Sequence, residues 1–301
     1  MKILTIATKK EGYLDLLIQT AEKFGYELKL LGWGLPWKGL AWKLELYISE
    51  LEKIDGGEPV VCVDGYDVIV VGSSEEMKNK FIKMNSPVIF SGQRYFPMQK
   101  FIQSLADKLM SNDKRQKFGK TGDPIDYSRP CTGLFTGYAG DLLLLFRELI
   151  RIEGKEKIGN DQILLNIFYL RNPASIRIDY HCDLFQNLWR TESGLFGKFY
   201  PENRKSDIEI IGEGNEYRIK NKYFNTEPCF LHAPFNLDIG PVLVRLNLNP
   251  KKLSFGKGLH YSKYSLFYYT KRGIKFFWKE IAITILIIIL LSFLFTYMWQ
   301  R

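Results

Sequence analysis

The chain has 301 residues and a formal net charge of +9, a length that allows one large α/β domain or two small ones. Nine Lys or Arg residues and a single acid, Glu280, lie between Lys251 and the last residue, so residues 1–250 carry a net charge of only +1. A nucleic-acid-binding domain concentrates basic charge on a folded face, and this distribution argues against that class.

Strands and helices alternate through the first ninety residues, as judged from the spacing of apolar side chains. The predicted elements are strand Lys2–Thr8, helix Tyr13–Phe24, strand Glu27–Leu31, helix Lys43–Leu51, a buried strand in the first apolar run of Pro59–Val71, a helix from Ser73 to Met84 and strand Pro87–Phe90. Ser73 with Glu76 forms a possible capping box for the last of these helices. This order predicts an α/β fold with a Rossmann-type mixed sheet.

Two carboxylates interrupt the apolar run Pro59–Val71, at Asp64 and Asp67. A carboxylate inside a buried strand is costly unless it is paired or bound to a metal, so we expect both where the strand emerges, with Gly65 allowing a tight turn. Ligands of open α/β sheets bind at that edge, and two oxygen donors suit Mg²⁺ or Mn²⁺ and a phosphate-bearing substrate. A surface turn with two solvated acids is the alternative.

The middle of the chain is less regular. A surface loop is predicted at Asn112–Arg129, and Gly133–Ala139 has the short, Gly-punctuated pattern of a chain passing near a ligand. Further predicted elements are helices Leu142–Ile152 and Asp161–Tyr169, a hairpin at Ile208–Tyr223 and a last strand at Glu227–His232.

The tail contains 19 uncharged residues, Ile281–Trp299, which predict one C-terminal transmembrane helix after a basic and aromatic juxtamembrane segment at 251–280. At ~1.5 Å per residue such a helix spans roughly 28 Å, close to the hydrocarbon thickness. Four cations, Lys271, Arg272, Lys275 and Lys279, precede the span. The positive-inside rule then predicts a tail-anchored protein whose catalytic domain, residues 1–250, is cytosolic. Four scattered cysteines suit reduced thiols in that compartment.

An ordered set of motifs spans almost all of residues 1–240. The motifs are Leu4–Leu17 (LTIATKKEGYLDLL), Val63–Val68 (VDGYDV) continuing through Glu75–Phe81, Gly133–Ala139, Asn160-Asp161-Gln162, Ile178–Leu188 (IDYHCDLFQNL) and His232. In this order they resemble the glycosyltransferase domain of the procollagen lysyl hydroxylase/glycosyltransferase family.

The resemblance implies a GT-A fold that transfers a hexose, glucose or galactose, from a UDP-sugar to a hydroxyl acceptor on a protein or glycan, with retention of anomeric configuration. It implies Mn²⁺, or Mg²⁺, as the metal cofactor, with Asp64, Asp67 and His232 as its ligands. The implied nucleotide-binding residues are Ile6, Ala7, Thr8, Asp64, Gly65 and Tyr66, and Lys43 matches a lysine that approaches the diphosphate. Asp161 is the implied catalytic residue, beside the acceptor and the reacting sugar. Without the resemblance, the residues alone allow two alternatives: Lys43 is an ordinary lysine on a helix surface, and His232 is a core histidine with satisfied hydrogen bonds.

Three departures from the family pattern concern substrate contacts. The acidic run before Gln162 is reduced to Asn160-Asp161, the stretch after His232 reads Ala-Pro-Phe-Asn, and Cys131-Thr132-Gly133-Leu134 replaces Asn-Ser-Gly-Gly. Because this acidic run is reduced, a non-enzymatic hypothesis also stays open. In it, the chain is a membrane-tethered module that binds a UDP-sugar but whose catalysis is degraded.

A rival hypothesis belongs to another reaction class. His181 and Asp183 form an H-x-D pattern, with His232 downstream and Arg245 beyond it. This arrangement imitates the facial triad of a non-haem Fe(II)/2-oxoglutarate oxygenase. Such enzymes use all-β jelly rolls, which the alternating N-terminal half does not fit.

Overall fold

The computed structural model describes residues 1–93, 127–188, 207–212, 217–234 and 239–248. The strands are β1 (Lys2–Ile6), β2 (Glu27–Leu31), β3 (Pro59–Asp64), β4 (Val68–Val70), β5 (Val88–Gln93), β6 (Arg129–Tyr138), β7 (Arg177–Asp179), β8 (Phe185–Asn187), β9 (Ile208–Ile211), β10 (Arg218–Asn221) and β11 (Phe230–His232). The helices are α1 (Leu14–Lys23), α2 (Trp42–Leu51), α3 (Ser74–Met84), α4 (Ala139–Glu156), α5 (Asp161–Arg171) and α6 (Gly240–Arg245).

The main sheet has six strands in the order β2-β1-β3-β6-β5-β7. β1 runs parallel to β2 and β3, and β5 runs parallel to β7, whereas β6 is antiparallel to both of its neighbours. The prediction of a mixed α/β sheet is therefore confirmed. The carboxyl ends of β1, β3 and β5 lie at one edge of this sheet, the edge where α/β proteins bind ligands.

Both faces of the main sheet are covered, because successive strand side chains point to opposite sides. Leu4 and Cys62 pack on one face with apolar side chains of α2, α4 and α5. Ile3 and Val61 pack on the other face with α1 and α3. Burial on two faces explains why these strands are almost continuously apolar in sequence.

The two apolar runs of Pro59–Val71 form strands of two different sheets. β3 belongs to the main sheet, while β4 belongs to a three-stranded sheet in the order β4-β11-β8. β11 is antiparallel to β4 and parallel to β8. The intervening residues Asp64 to Asp67 thus join the two sheets, which places both carboxylates where the sheets meet.

The helix cap at Ser73 and the predicted hairpin are confirmed, whereas the Glu76 carboxylate pairs with Lys80 and Arg218 and does not complete a capping box. The Ser73 hydroxyl accepts a hydrogen bond from the Glu76 amide at 3.2 Å and so caps α3. β9 and β10 pair as an antiparallel hairpin. The four cysteines are free, which agrees with the expected reduced thiols, and all four are buried.

The predicted surface loop Asn112–Arg129 is wrong at its end, and its first fifteen residues lie outside the described ranges. Tyr127 and Ser128 are buried, and Arg129 already belongs to β6. Tyr127 is buried because its hydroxyl donates a hydrogen bond to Asp207 at 3.0 Å, which satisfies its polar end.

The predicted juxtamembrane segment 251–280 and membrane span Ile281–Trp299 also lie outside the described residues. Among the helices that the structure describes, none combines the length and the apolar character needed to cross a bilayer.

Candidate metal and nucleotide site

Asp64 and Asp67 lie on the short connection from β3 to β4, at the ligand-binding edge of the main sheet. Asp64 is the last residue of β3 and pairs in register with Ile6 of β1. Gly65 lies so close to β1 that a Cβ there would come within 2.6 Å of the Ile6 carbonyl oxygen. Glycine is therefore required by this close approach, rather than by the tight turn predicted from sequence.

His232 reaches the two carboxylates through strand pairing. It is the last residue of β11 and lies opposite Val68 of β4. Its Nε2 atom is 3.4 Å from Asp67 Oδ2, and the Ala233 amide donates a hydrogen bond to the Asp67 carbonyl at 2.8 Å. One donor atom from each of Asp64, Asp67 and His232 lies within 4.8 Å of the others. The three predicted metal ligands are thus brought together.

The donor set fits a divalent cation. Asp67 Oδ1 and His232 Nε2 are buried and have no hydrogen-bond partner among the described residues. Buried polar atoms are nearly always satisfied, so these two atoms point to a ligand between them. Two carboxylates and an imidazole are donors that Mn²⁺ accepts, and Mg²⁺ shares the oxygen ligands.

The surroundings of His232 also shift the pKa of its imidazole. Burial lowers the pKa of its imidazole, but the adjacent Asp67 carboxylate outweighs burial and raises that pKa well above its ordinary value. A site that stabilises positive charge on the ring has the negative potential that a metal cation needs.

Lys43 is a buried cation shared by two acids, so the surface-lysine alternative is wrong. Only 6% of the residue is exposed, and its Nζ atom lies 2.7 Å from both Asp64 Oδ1 and Asp161 Oδ2. Burial lowers the pKa of Lys43, but the carboxylates of Asp161 and Asp64 hold it well above its ordinary value. Lys43 therefore stays charged directly beside the predicted metal ligands.

Asp161 is fixed at the start of α5. Asn160 caps this helix through a hydrogen bond from the Ile163 amide at 3.1 Å, and the Gln162 amide donates to Asp161 Oδ1 at 2.9 Å. The Gln162 side chain ties the same turn to β6, since it accepts from the Thr132 amide at 3.0 Å. A carboxylate at a helix N-terminus is stabilised by the helix dipole, so Asp161 is held in one place.

The predicted nucleotide-binding residues at the end of β1 and directly after it differ in what they can contribute. Ile6 and Ala7 are buried, whereas Thr8 is half-buried. The Tyr66 hydroxyl accepts hydrogen bonds from the Thr8 amide at 2.9 Å and the Lys9 amide at 3.3 Å. Contact of a nucleotide with Ile6 or Ala7 would have to use their backbone, and the roles of all these residues stay predictions.

The oxygenase hypothesis lacks its metal triad. Among the described residues one group of His, Cys, Asp or Glu has metal-ligand spacing, and it contains His232 but neither His181 nor Asp183. His181 is exposed, and its ring lies against Phe224 with centroids 5.0 Å apart. The H-x-D pattern therefore does not form a facial triad with His232.

The sequence did not identify two residues, Asn187 and Gly133, as neighbours of His232. Asn187 Oδ1 lies 2.6 Å from His232 Nδ1, although Gln186 and Asn187 were expected only to brace loops. A Cβ at Gly133 would clash with the imidazole and lie 2.7 Å from Nε2. The glycine pattern of β6 did signal a close approach, but the neighbour is a protein side chain.

A family model and the sequence relatives described below match the chain to the same family. The family model described as the PLOD GT domain matches residues 1–247. Procollagen-lysine,2-oxoglutarate 5-dioxygenase 1 of Bos taurus is 27% identical over 259 residues, which cover 81% of this chain and 30% of the relative. Multifunctional procollagen lysine hydroxylase and glycosyltransferase LH3 of Homo sapiens is 26% identical over 260 residues, with the same coverage. The chain thus spans about a third of the length of these relatives.

A solved structure of a glycosyltransferase involved in the glycosylation of the major capsid of PBCV-1 aligns with a TM-score of 0.43 and 14% identity, covering 82% of this chain and 98% of the other.

Proposed function

The chain belongs to the PLOD GT domain family, and from this premise we propose that it is a metal-dependent glycosyltransferase of GT-A type. In this proposal it transfers a hexose, glucose or galactose, from a UDP-sugar to a hydroxyl acceptor on a protein or glycan. The metal is Mn²⁺, with Mg²⁺ as a substitute.

The observation that carries the proposal is the convergence of Asp64, Asp67 and His232 beside the charged Lys43. Departure of UDP leaves negative charge on the diphosphate, and a bound divalent ion would stabilise that charge. Asp64 holds Lys43 through Oδ1 and retains a second carboxylate oxygen for the metal. Lys43 then supplies a second cation within reach of the same phosphates.

Asp161 is the residue we assign to the reacting sugar. Lys43 joins its carboxylate to Asp64, so the metal site and Asp161 are separated by one ammonium group. A carboxylate there can orient the acceptor hydroxyl or stabilise positive charge that develops on the sugar ring. In either role its fixed position at the start of α5 avoids reorganisation during transfer.

The experiment is a panel of UDP-sugars assayed for UDP release with and without Mn²⁺, alongside calorimetry of Mn²⁺ and UDP binding. Asp64→Asn and Asp67→Asn each remove an anionic ligand, so we expect each to weaken Mn²⁺-dependent UDP binding by at least about 100-fold. His181→Ala and Asp183→Asn are the matched controls, because only the oxygenase hypothesis needs them; wild-type binding is expected for both.

Unchanged affinity in both aspartate variants would refute the metal site. The oxygenase hypothesis would be favoured if His181→Ala and Asp183→Asn lost as much activity as the aspartate variants and the protein also bound Fe(II) and turned over 2-oxoglutarate. Tight UDP binding by the wild type without turnover of any donor would identify the degraded binding module instead.

A further inference from the structure

The side-chain amide of Asn187 is held between a backbone carbonyl and the imidazole of His232. Asn187 is the last residue of β8, is buried, and pairs in register with His232 of β11. Its Nδ2 atom donates a hydrogen bond to the Gly92 carbonyl oxygen at 2.6 Å, and its Oδ1 atom lies 2.6 Å from His232 Nδ1.

These two contacts determine where the protons are. The Gly92 carbonyl oxygen can only accept, so the NH₂ end of the Asn187 amide must face it. The oxygen end then faces His232, and because an amide oxygen also only accepts, Nδ1 of the imidazole must carry a proton. In the neutral ring this leaves the lone pair on Nε2, the atom that faces Asp67 and has no hydrogen-bond partner among the described residues.

We propose that Asn187 is a positioning residue that sets the tautomer and orientation of His232, so that Nε2 presents its lone pair to the metal. This inference rests on the metal-dependent function proposed above. A hydrogen bond to the second ring nitrogen commonly orients metal-bound histidines, and its loss weakens metal binding without removing a ligand.

A buried amide network lies beside Asn187 in β8 and contacts its main chain but not its side-chain amide. The Gln186 side chain donates to the Asn187 carbonyl at 2.9 Å and to the Tyr127 hydroxyl at 3.2 Å. Asn221 donates in turn to Gln186 Oε1 at 2.8 Å. Gln186 is buried in the same strand but makes no described contact with His232, so it offers a matched control.

The first test compares Asn187→Leu with Gln186→Leu in the full chain, using electron paramagnetic resonance to measure Mn²⁺ affinity and thermal melting to monitor folding. Both variants replace a buried amide in β8 by an apolar group of similar size, so both lower stability. Only Asn187→Leu is expected to weaken Mn²⁺ binding, by about 10- to 100-fold. Equal Mn²⁺ affinity in Asn187→Leu and the wild type would overturn the inference.

The second test is the ¹⁵N spectrum of the histidine rings in the wild-type protein loaded with diamagnetic Mg²⁺. The sequence has three histidines, and His181→Gln and His260→Gln assign the signals. A His232 ring protonated at Nδ1 supports the inference, and protonation at Nε2 overturns it even if Asn187→Leu does not fold. Absence of Mn²⁺ and Mg²⁺ binding by the wild type would instead refute the metal site of the proposed function.

Discussion

Gly133 and His232 illustrate how a single absent side chain shapes the site. The imidazole occupies the volume that a Cβ at position 133 would need, and His232 is 2% exposed, so its ring has little freedom to move away. A methyl group there would displace the ring from Asp67 as well as strain β6. In the proposed metal site, the glycine would therefore contribute to metal binding without carrying a ligand atom.

Gly133→Ala should lower the free energy of unfolding by about 1–3 kcal/mol through overpacking and should weaken Mn²⁺ binding at least about tenfold. In a His232→Ala background the ring is gone, so the same substitution should cost less than about 1 kcal/mol. Chemical denaturation of the four proteins in this double-mutant cycle, with calorimetry of Mn²⁺ binding, measures both effects.

Gly137→Ala is the matched control in the same strand. Its Cβ would lie 2.7 Å from the Pro87 carbonyl oxygen, and none of the three atoms nearest to that Cβ belongs to a predicted metal ligand. It should destabilise β6 equally with and without the His232 ring and leave Mn²⁺ affinity unchanged. A Gly133→Ala cost that is the same in both backgrounds would contradict the clash with His232.

At the residue scale, the sequence predicted Asp64 and Asp67 as metal ligands because carboxylates are conspicuous within an apolar run. It predicted His232 only through the family resemblance. Asn187 and Lys43 could not be assigned their partners, because those contacts join β8 to β11 and α2 to α5 across large sequence distances. A buried lysine and a surface lysine of an amphipathic helix look alike until the fold is known.

At the scale of elements, the connection from β7 to β8 is held by one buried carboxylate. Asp179 Oδ1 accepts from the Asp183 amide at 2.9 Å, and Oδ2 accepts from the amides of Leu184 and Phe185 at 2.9 Å. Burial raises the pKa of Asp179 to about 6, even though these hydrogen bonds lower it. The side chain thus binds its proton more tightly in the folded protein than in the unfolded chain.

That shift predicts a pH dependence of stability. Since the folded pKa lies above the ordinary value of 3.8, the contribution of Asp179 to stability is complete below about pH 4 and is lost as pH rises through about 6. The free energy of unfolding of the wild type relative to Asp179→Asn should therefore fall by roughly 2–3 kcal/mol between pH 4 and 7. Urea denaturation of both proteins across this range measures the difference, and a difference that rises with pH would contradict the assignment.

Long elements were the ones predicted correctly. α1, α2, α4 and α5 each have ten or more residues, enough for apolar periodicity to identify them. β7 and β8 have three residues each and were not predicted, because a three-residue strand has no measurable period and depends on pairing with distant partners. The second sheet, which supplies His232 and Asn187 to the site, was not predicted as a sheet: a strand was predicted at Glu227–His232, but its pairing with β4 and β8 joins residues far apart in sequence.

At the scale of the whole molecule, charge and hydropathy are distributed unevenly between the site-bearing region and the tail. Residues 1–250 are close to neutral, whereas the segment before Ile281 is rich in Lys and Arg and the next 19 residues are uncharged. A neutral domain is not held at an anionic membrane by its own net charge. Attachment, in our proposal, comes from the segment that follows the domain.

We therefore propose a glycosyltransferase anchored by Ile281–Trp299, with its catalytic domain facing the cytosol and acting on acceptors at the membrane surface. The basic cluster 271–279 directly before the span favours the cytosolic side for the residues preceding it. In sealed microsomes, protease should digest residues 1–250 without detergent. A variant with Lys271, Arg272, Lys275 and Lys279 changed to Gln should lose this uniform orientation, because the charge difference across the span is removed. Protection of residues 1–250 until detergent is added would place the catalytic domain in the lumen and refute this topology, while recovery of the full-length chain in the soluble fraction would refute the anchor itself.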